Sequence, residues 1–182
     1  DRDGDEDLVV ANGHVIKYPA SKRVNQLPLL LINEDGRRYI RKKFSPGDGY
    51  FGTPHSGRGL AIGDLDEDGD ADLVFSNNVQ PAAIVANQTS NQNHYIRVQL
   101  IGRAGNRDAV GASLVLHTSG GDQLRMIKGG GSYLSQSEPR VYWGVPEGED
   151  VTGLTVTWPG GTEQTIAGMN LDETTVLLEP LE

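Results

Sequence analysis

The 182-residue chain has no cysteine. Disulfides, thiolate metal sites and a cysteine nucleophile are therefore excluded. No apolar run approaches the ~20 residues of a membrane-spanning helix, so membrane insertion is not expected. No segment carries a sustained helical periodicity of apolar residues. A basic surplus is also missing, because the formal net charge is −9. Residues 1–7 hold five acidic groups and residues 64–72 hold six, and 15 of the 16 Lys and Arg lie outside these stretches against 14 acidic residues. The remainder is nearly neutral and the acidity belongs to two segments. A nucleic-acid partner, which would call for a basic patch, is not expected. The one basic cluster, Arg37, Arg38, Arg41, Lys42 and Lys43, is interleaved with Tyr39, Ile40 and Phe44 and reads as the solvated side of a strand. No signal peptide is visible, and a chain that opens on Asp1 is compatible with one already removed.

Asp64-Leu65-Asp66-Glu67-Asp68-Gly69-Asp70-Ala71-Asp72 puts carboxylates at positions 1, 3, 5, 7 and 9 of a loop and glycine at position 6. A hard cation such as Ca²⁺ takes six to eight oxygens in a flexible shell. Glycine permits the sharp turn that aims successive oxygens inward. Without a cation, six acidic groups in nine positions repel one another, so a merely solvated acidic turn is the poorer reading. Side chains of Asp64, Asp66, Asp68 and Asp72 are expected to ligate, with the Asp70 carbonyl and water completing the shell. Glu67 and Ala71 are expected to point outward. Position 12, where an EF-hand needs a bidentate glutamate, is Phe75, and the flanks read as short strands. The expectation is a calcium loop in a β-hairpin.

Asp1-Arg2-Asp3-Gly4-Asp5-Glu6-Asp7-Leu8-Val9 repeats that loop at an offset of 65 residues, with Gly4 on Gly69 and Asp7 on Asp72. Asp1 falls on position 3. The sequence is thus expected to begin inside a calcium loop of a longer protein. Asp1, Asp3, Asp5 and Asp7 are expected to hold metal weakly or not at all. Strand candidates around the loops are Leu8–Asn12, Leu27–Asn33, Arg37–Phe44, Gly59–Gly63, Leu73–Asn77 and Ala82–Asn87, with a hairpin turn at Asn33-Glu34-Asp35-Gly36. Repeats of this density suit propeller blades of four strands each.

From His94 the texture changes. Tyr95-Ile96-Arg97-Val98-Gln99-Leu100 alternates with period two, and six further candidates follow: Val110–His117, Gln123–Lys128, Arg140–Val145, Gly153–Trp158, Thr162–Ile166 and Thr174–Leu178. Seven strands in ~90 residues suit a β-sandwich. The polar run Gln88–Asn93 marks the boundary, giving a propeller part at 1–92 and a sandwich at 93–182. The fold class is all-β.

Asp64–Phe75 resembles the calcium loop of FG-GAP/VCBS repeats. The later half resembles the ASPIC/UnbV domain through Asn106-Arg107-Asp108-Ala109-Val110-Gly111-Ala112, Gly129-Gly130-Gly131-Ser132-Tyr133-Leu134-Ser135-Gln136-Ser137, Tyr142-Trp143-Gly144-Val145 and Val156-Thr157-Trp158-Pro159-Gly160-Gly161. The resemblance implies a secreted or cell-envelope protein in which a roughly seven-bladed calcium-binding propeller precedes a sandwich. It also implies an interaction role without established catalysis. Too few blade strands are present here to close such a propeller.

Other features are read more plainly. Gly129–Ser137 lacks the following helix and Lys-Ser or Lys-Thr pair of a phosphate loop and reads as a bulged strand or packed turn. Ser132, Ser135 and Ser137 have no nucleophile motif around them. His14, His55, His94 and His117 are scattered, though His14 and His55 have room to converge near the acidic loops. Arg107 and Asp108 read as an ion pair bracing a turn. Trp143 and Trp158 read as core, whereas an exposed Tyr133 would suit sugar stacking. Asn87-Gln88-Thr89 is a glycosylation sequon, meaningful for a eukaryotic secreted source. The functional expectation is non-catalytic, calcium-stabilised binding or adhesion outside the cell, toward a protein or glycan ligand. The alternatives are a carbohydrate-binding module and an accessory of a metal-dependent polysaccharide-active enzyme. Open blade edges are further expected to allow oligomer formation, because exposed strand edges are templates for pairing.

Overall fold

The computed structural model describes residues 1–16 and 23–181, and among these every regular element is a strand. β1 (Leu8–Val10), β2 (Leu29–Glu34) and β3 (Arg38–Arg41) form an antiparallel sheet in the order β1-β2-β3. β4 (Gly57–Gly63), β5 (Asp72–Asn77) and β6 (Ala83–Val85) form a second one in the order β4-β5-β6. At the β2–β3 turn Asp35 and Gly36 both take positive φ, 56° and 63°, as the Asp-Gly signal requires.

Both sheets stop at three strands, where four-stranded blades were expected, and no closed propeller forms among the described residues. The segment after β3 turns back on itself and contributes only an isolated bridge, His55 with Gln26. Gly47 and Gly49 take positive φ (91° and 53°), and the chain bonds back on itself through Asp48 N to Ser45 O (3.0 Å) and Gly52 N to Asp48 O (2.9 Å). All four residues of β3 are exposed. The alternation read there does not produce a buried face: β3 is the edge strand of its sheet, and its Tyr39 hydroxyl donates to the Glu6 carbonyl at 3.2 Å. The segment's real contribution is aromatic. Phe44 stacks on Phe51 at 5.0 Å, and Phe75 is enclosed by Tyr50 and Phe51 with centroids at 4.2 and 6.0 Å. Phe75, the residue at position 12 of the loop, is fully buried.

The remaining seven strands are β7 (His94–Ile101), β8 (Ser113–Thr118), β9 (Gly121–Met126), β10 (Val141–Val145), β11 (Val151–Thr157), β12 (Glu163–Ala167) and β13 (Glu173–Leu178). They make a three-stranded sheet, β10-β7-β13, and a four-stranded sheet, β12-β11-β8-β9. All neighbours are antiparallel except β13, which runs parallel to β7. The inner faces share one core in which Ile96 and Val98 of β7 meet Leu114 and Leu116 of β8, with Trp143 and Trp158 each 1% exposed. Truncating either tryptophan to alanine is expected to cost about 3–5 kcal/mol.

Period two decides what the opposite face of β10-β7-β13 carries. With Ile96, Val98, Val141 and Trp143 turned inward, Tyr95, Arg97, Tyr142 and Gly144 must face outward. The register sets Arg97 beside Tyr142 on one side and Thr174 on the other. This outer face is not solvated: Arg97 is only 6% exposed. It is the surface on which the acidic loops land.

Candidate metal centre

β4 ends at Gly63 and β5 begins at Asp72, which are ladder partners. The hairpin therefore brings Asp64 and Asp72 together at the mouth of the loop. Gly69 at φ 92° and Glu67 at φ 61° supply the reversal. Backbone amides then fix the carboxylates. Asp64 accepts from Asp68 N at 3.1 Å and from Gly69 N at 3.0 Å. Asp72 accepts from Leu65 N at 2.9 Å and from Asn87 N at 2.8 Å, tying the loop to the segment just after β6. Asp68 accepts from Asp70 N at 2.9 Å. One carboxylate oxygen from each of Asp64, Asp66 and Asp72 lies within 4.8 Å of the others, two of these residues being buried and Asp66 exposed. Asp66 makes no hydrogen bond or ion pair with any described residue, so its carboxylate is free to turn inward.

Asp68 and Asp70 belong to the same loop but stand outside that trio. Asp70 is buried, and burial raises its carboxyl pKa, with Arg2 working in the opposite direction. Its Oδ1 has no aligned donor although Arg2 Nε is 3.1 Å away. Such a buried, unsatisfied oxygen is costly unless a cation or water reaches it. The donor set, all hard carboxylate oxygen on a glycine-turned loop, is the chemistry that Ca²⁺ takes.

The sandwich supplies countercharge. Arg97 donates to the Asp64 carboxylate and to Thr174 Oγ1. Neither side chain of this ion pair is more than 7% exposed. Removing one partner of a buried pair typically costs 3–5 kcal/mol, because the other is left uncompensated. The Asp64 amide donates to Glu138 Oε2 (3.2 Å) and to Tyr142 Oη (3.3 Å). Glu138 in turn is held by Arg140 and Tyr142. Burial raises the pKa of the Tyr142 phenol, which stays protonated as a donor. Arg140 also lies 3.7 Å from the outward-pointing Glu67.

The first loop shares the backbone of the second. Arg2 and Glu67 both sit at φ 61°, and Gly4 and Gly69 at 94° and 92°. Asp5 N donates to Asp3 at 3.1 Å, as Asp70 N does to Asp68. Asp7 accepts from Asn33 N at 2.8 Å, as Asp72 does from Asn87 N. Yet among the described residues Asp1, Asp3, Asp5 and Asp7 do not gather into a metal-sized group. Asp5 accepts from Gly36 N at 3.0 Å, and the Asp1 carbonyl accepts from Asn91 and Asn93.

Residues 1–75 match the FG-GAP-like repeat, and residues 102–181 match the ASPIC and UnbV family. The chain joins an FG-GAP-like repeat to an ASPIC and UnbV segment. It is 31% identical to cartilage acidic protein 1 of Mus musculus over 99% of this chain and 28% of that protein. It is 32% identical to the Homo sapiens protein of the same name over 88% of this chain and 24% of that protein. The chain spans about a quarter of the length of the curated relatives it matches.

The ASPIC and UnbV motifs acquire definite places. Gly129–Ser137 lies along the free edge of β4. Leu60 N donates to Ser132 Oγ (3.1 Å), Ile62 N donates to Ser137 Oγ (3.2 Å), and Glu138 N donates to Ile62 O (2.9 Å). The two serines are thus acceptors for an otherwise open strand edge, a role no sequence pattern announced. Arg107 and Asp108 form no ion pair among the described residues. Asn106 braces that turn instead, accepting from Val110 N (2.6 Å) and donating to Val110 O (3.1 Å). A short amide reaching both backbone groups closes the turn without help from its charged neighbours. His14 and His55 do not join the carboxylate group. His55 stacks on Tyr50 at 4.0 Å, and the His14 carbonyl accepts from Arg58 at 3.0 Å. Tyr133 is 63% exposed.

Proposed function

We propose that this chain is a non-catalytic, calcium-binding interaction module that works outside the cell. The observation that carries the reading is the convergence of the Asp64, Asp66 and Asp72 carboxylates on a loop whose backbone is already turned for a cation. Asp68 and Asp70 would add oxygens from the same loop. Asp1, Asp3, Asp5 and Asp7, which do not converge, would hold a cation weakly or not at all. The calcium is structural: it offsets the mutual repulsion of the loop and stabilises only the folded hairpin. The non-catalytic reading is supported by the engagement of Glu138, Arg140 and Arg97 beside the loop. Glu138 is bound by Arg140 and Tyr142, and Arg97 by Thr174 and Asp64. An extracellular setting is supported by the likeness to proteins named for cartilage. The exposed Tyr133 at the tip of the glycine-rich loop favours a glycan as a second kind of ligand, which a glycan array with and without calcium would test.

Calcium at a hundredfold excess over Kd should stabilise the chain by about 2.7 kcal/mol. Extracellular calcium modules bind at about 10⁻⁴–10⁻³ M, so a hundredfold excess means about 10–100 mM calcium. Asp66→Ala removes a ligand that has no other partner. It should leave the metal-free melting temperature unchanged or slightly raised, because one repelling carboxylate is gone, and abolish most of the calcium-induced rise. Superimposed wild-type curves in saturating calcium and in chelator would refute the reading.

A further inference from the structure

The three groups that hold Asp64 from outside its loop all belong to the sandwich. Arg97 binds its carboxylate, while Glu138 and Tyr142 bind its amide. The Tyr95 ring lies against Gly69 at the loop's tightest point. Position 1 of the loop is therefore set by β7, β10 and the segment before β10, and not by the hairpin alone. The same segment clasps the β4 edge through Ser132, Ser137 and Glu138. We propose that Arg97 is a positioning residue for the cation site, through which calcium binding and the seating of the sandwich on the β4–β5 hairpin are one linked event. The inference rests on the calcium reading above and adds the group that regulates it.

Two opposing effects act on the site. A guanidinium beside a ligand carboxylate repels a second cation. It also removes the rotational freedom of that carboxylate and holds it in one buried position, ready for the metal. Fixing a buried side chain in one rotamer saves the metal an ordering cost that a free carboxylate would impose. Arg97 is suited to the second role because it is anchored on both sides, at Thr174 and at Asp64, and its planar fork cannot be replaced by a point charge. By linkage, whatever Arg97 adds to calcium affinity, calcium adds to the seating of Arg97 and of the surface that carries it.

The test uses the full chain with CaCl₂ as the probe. Arg97→Lys keeps the charge and loses the fork, and Thr174→Val removes the outer anchor while leaving Arg97 in place. Calorimetry should show calcium affinity weakened at least about fivefold in Arg97→Lys, the lower end of ordinary site-to-site coupling, and to a lesser extent in Thr174→Val. Hydrogen exchange gives the reciprocal readout. Calcium should slow exchange at the amides of Leu60, Ile62 and Glu138 in the wild type and much less in Arg97→Lys. In chelator, those amides should already exchange faster in the variant, while the sandwich core stays protected. Calcium affinity unchanged or tighter in Arg97→Lys would overturn the coupling while leaving the calcium site intact, as would protection confined to residues 64–72. No binding heat in the wild type would overturn the calcium reading and the coupling with it.

Discussion

Gly4 and Gly69 occupy the same place in two loops and have φ of 94° and 92°. Replacing either with alanine forces a Cβ into a left-handed backbone, at about 1–2 kcal/mol. The surroundings then separate the two. At Gly4 the new Cβ would stand 3.4 Å from Pro146 Cδ, an ordinary contact. At Gly69 it would overlap the Tyr95 ring, which cannot swing aside freely because its hydroxyl donates to Asp172 O at 2.9 Å. Overpacking of that kind adds about 1–3 kcal/mol. Gly4→Ala should therefore cost about 1–2 kcal/mol and Gly69→Ala about 2–5 kcal/mol, with each kcal/mol lowering Tm by about 2–4 °C in a chain of this size. Urea and thermal unfolding in chelator would measure both without the cation. The double variant Gly69→Ala with Tyr95→Ala should show a positive coupling, because the clash no longer exists. Equal costs for the two glycine variants, or strict additivity with Tyr95→Ala, would refute the claim that loop and sandwich are in hard contact.

Gly59→Ala probes the β4 clasp. Its Cβ would lie 2.7 Å from the Tyr133 carbonyl and overlap Ser135 Oγ. The glycine-rich loop should be lifted from the strand edge, with faster exchange at Leu60 and Ile62 and a loss of about 1–3 kcal/mol; unchanged exchange there would count against the clasp. Glu179 gives a pH signature. Its carboxylate accepts from Ala104 N at 2.8 Å and Arg103 N at 2.7 Å, which hold its pKa below the ordinary glutamate value. A depressed folded pKa stabilises fully above the unfolded value of about 4.3, and that contribution is lost as pH falls through the lower folded pKa. Glu179→Gln should shallow the acid limb of a stability–pH profile and leave its slope near neutrality unchanged.

The all-β class, the texture change before His94 and the seven later strands were legible because period-two alternation and glycine-rich turns are local signals. The limits of that legibility follow from residues whose role depends on distant chain. Alternation correctly turned Arg97 away from the core, and on sequence grounds that face is solvated. It is buried because the β4–β5 loop lands on it, and nothing within β7 announces which loop will arrive. Phe75 could be excluded as a metal ligand by its chemistry alone. Its place among Tyr50 and Phe51 depends on the folded segment 45–56. The carboxylate spacing of 64–72 indicated a cation loop, but spacing cannot separate Asp66, which points into the trio, from Asp68 and Asp70, which are drawn to backbone and to Arg2.

The two acidic loops show what the repeat carries from copy to copy. Both keep the left-handed pair of residues, the Asx bond at positions 5 and 7, and a position-9 aspartate that receives an asparagine amide from the next part of the chain. These features need no metal. They are backbone mechanics that close a hairpin and pin the following segment. What the second loop adds is the hold of the sandwich on Asp64, through Arg97, Glu138 and Tyr142. Asp64 alone would be a buried charge. Arg97 makes it a fixed one, beside Asp66 and Asp72. The carboxylate trio is thus positioned by the hairpin and the sandwich together, whereas the backbone turn of the loop is common to both copies of the repeat.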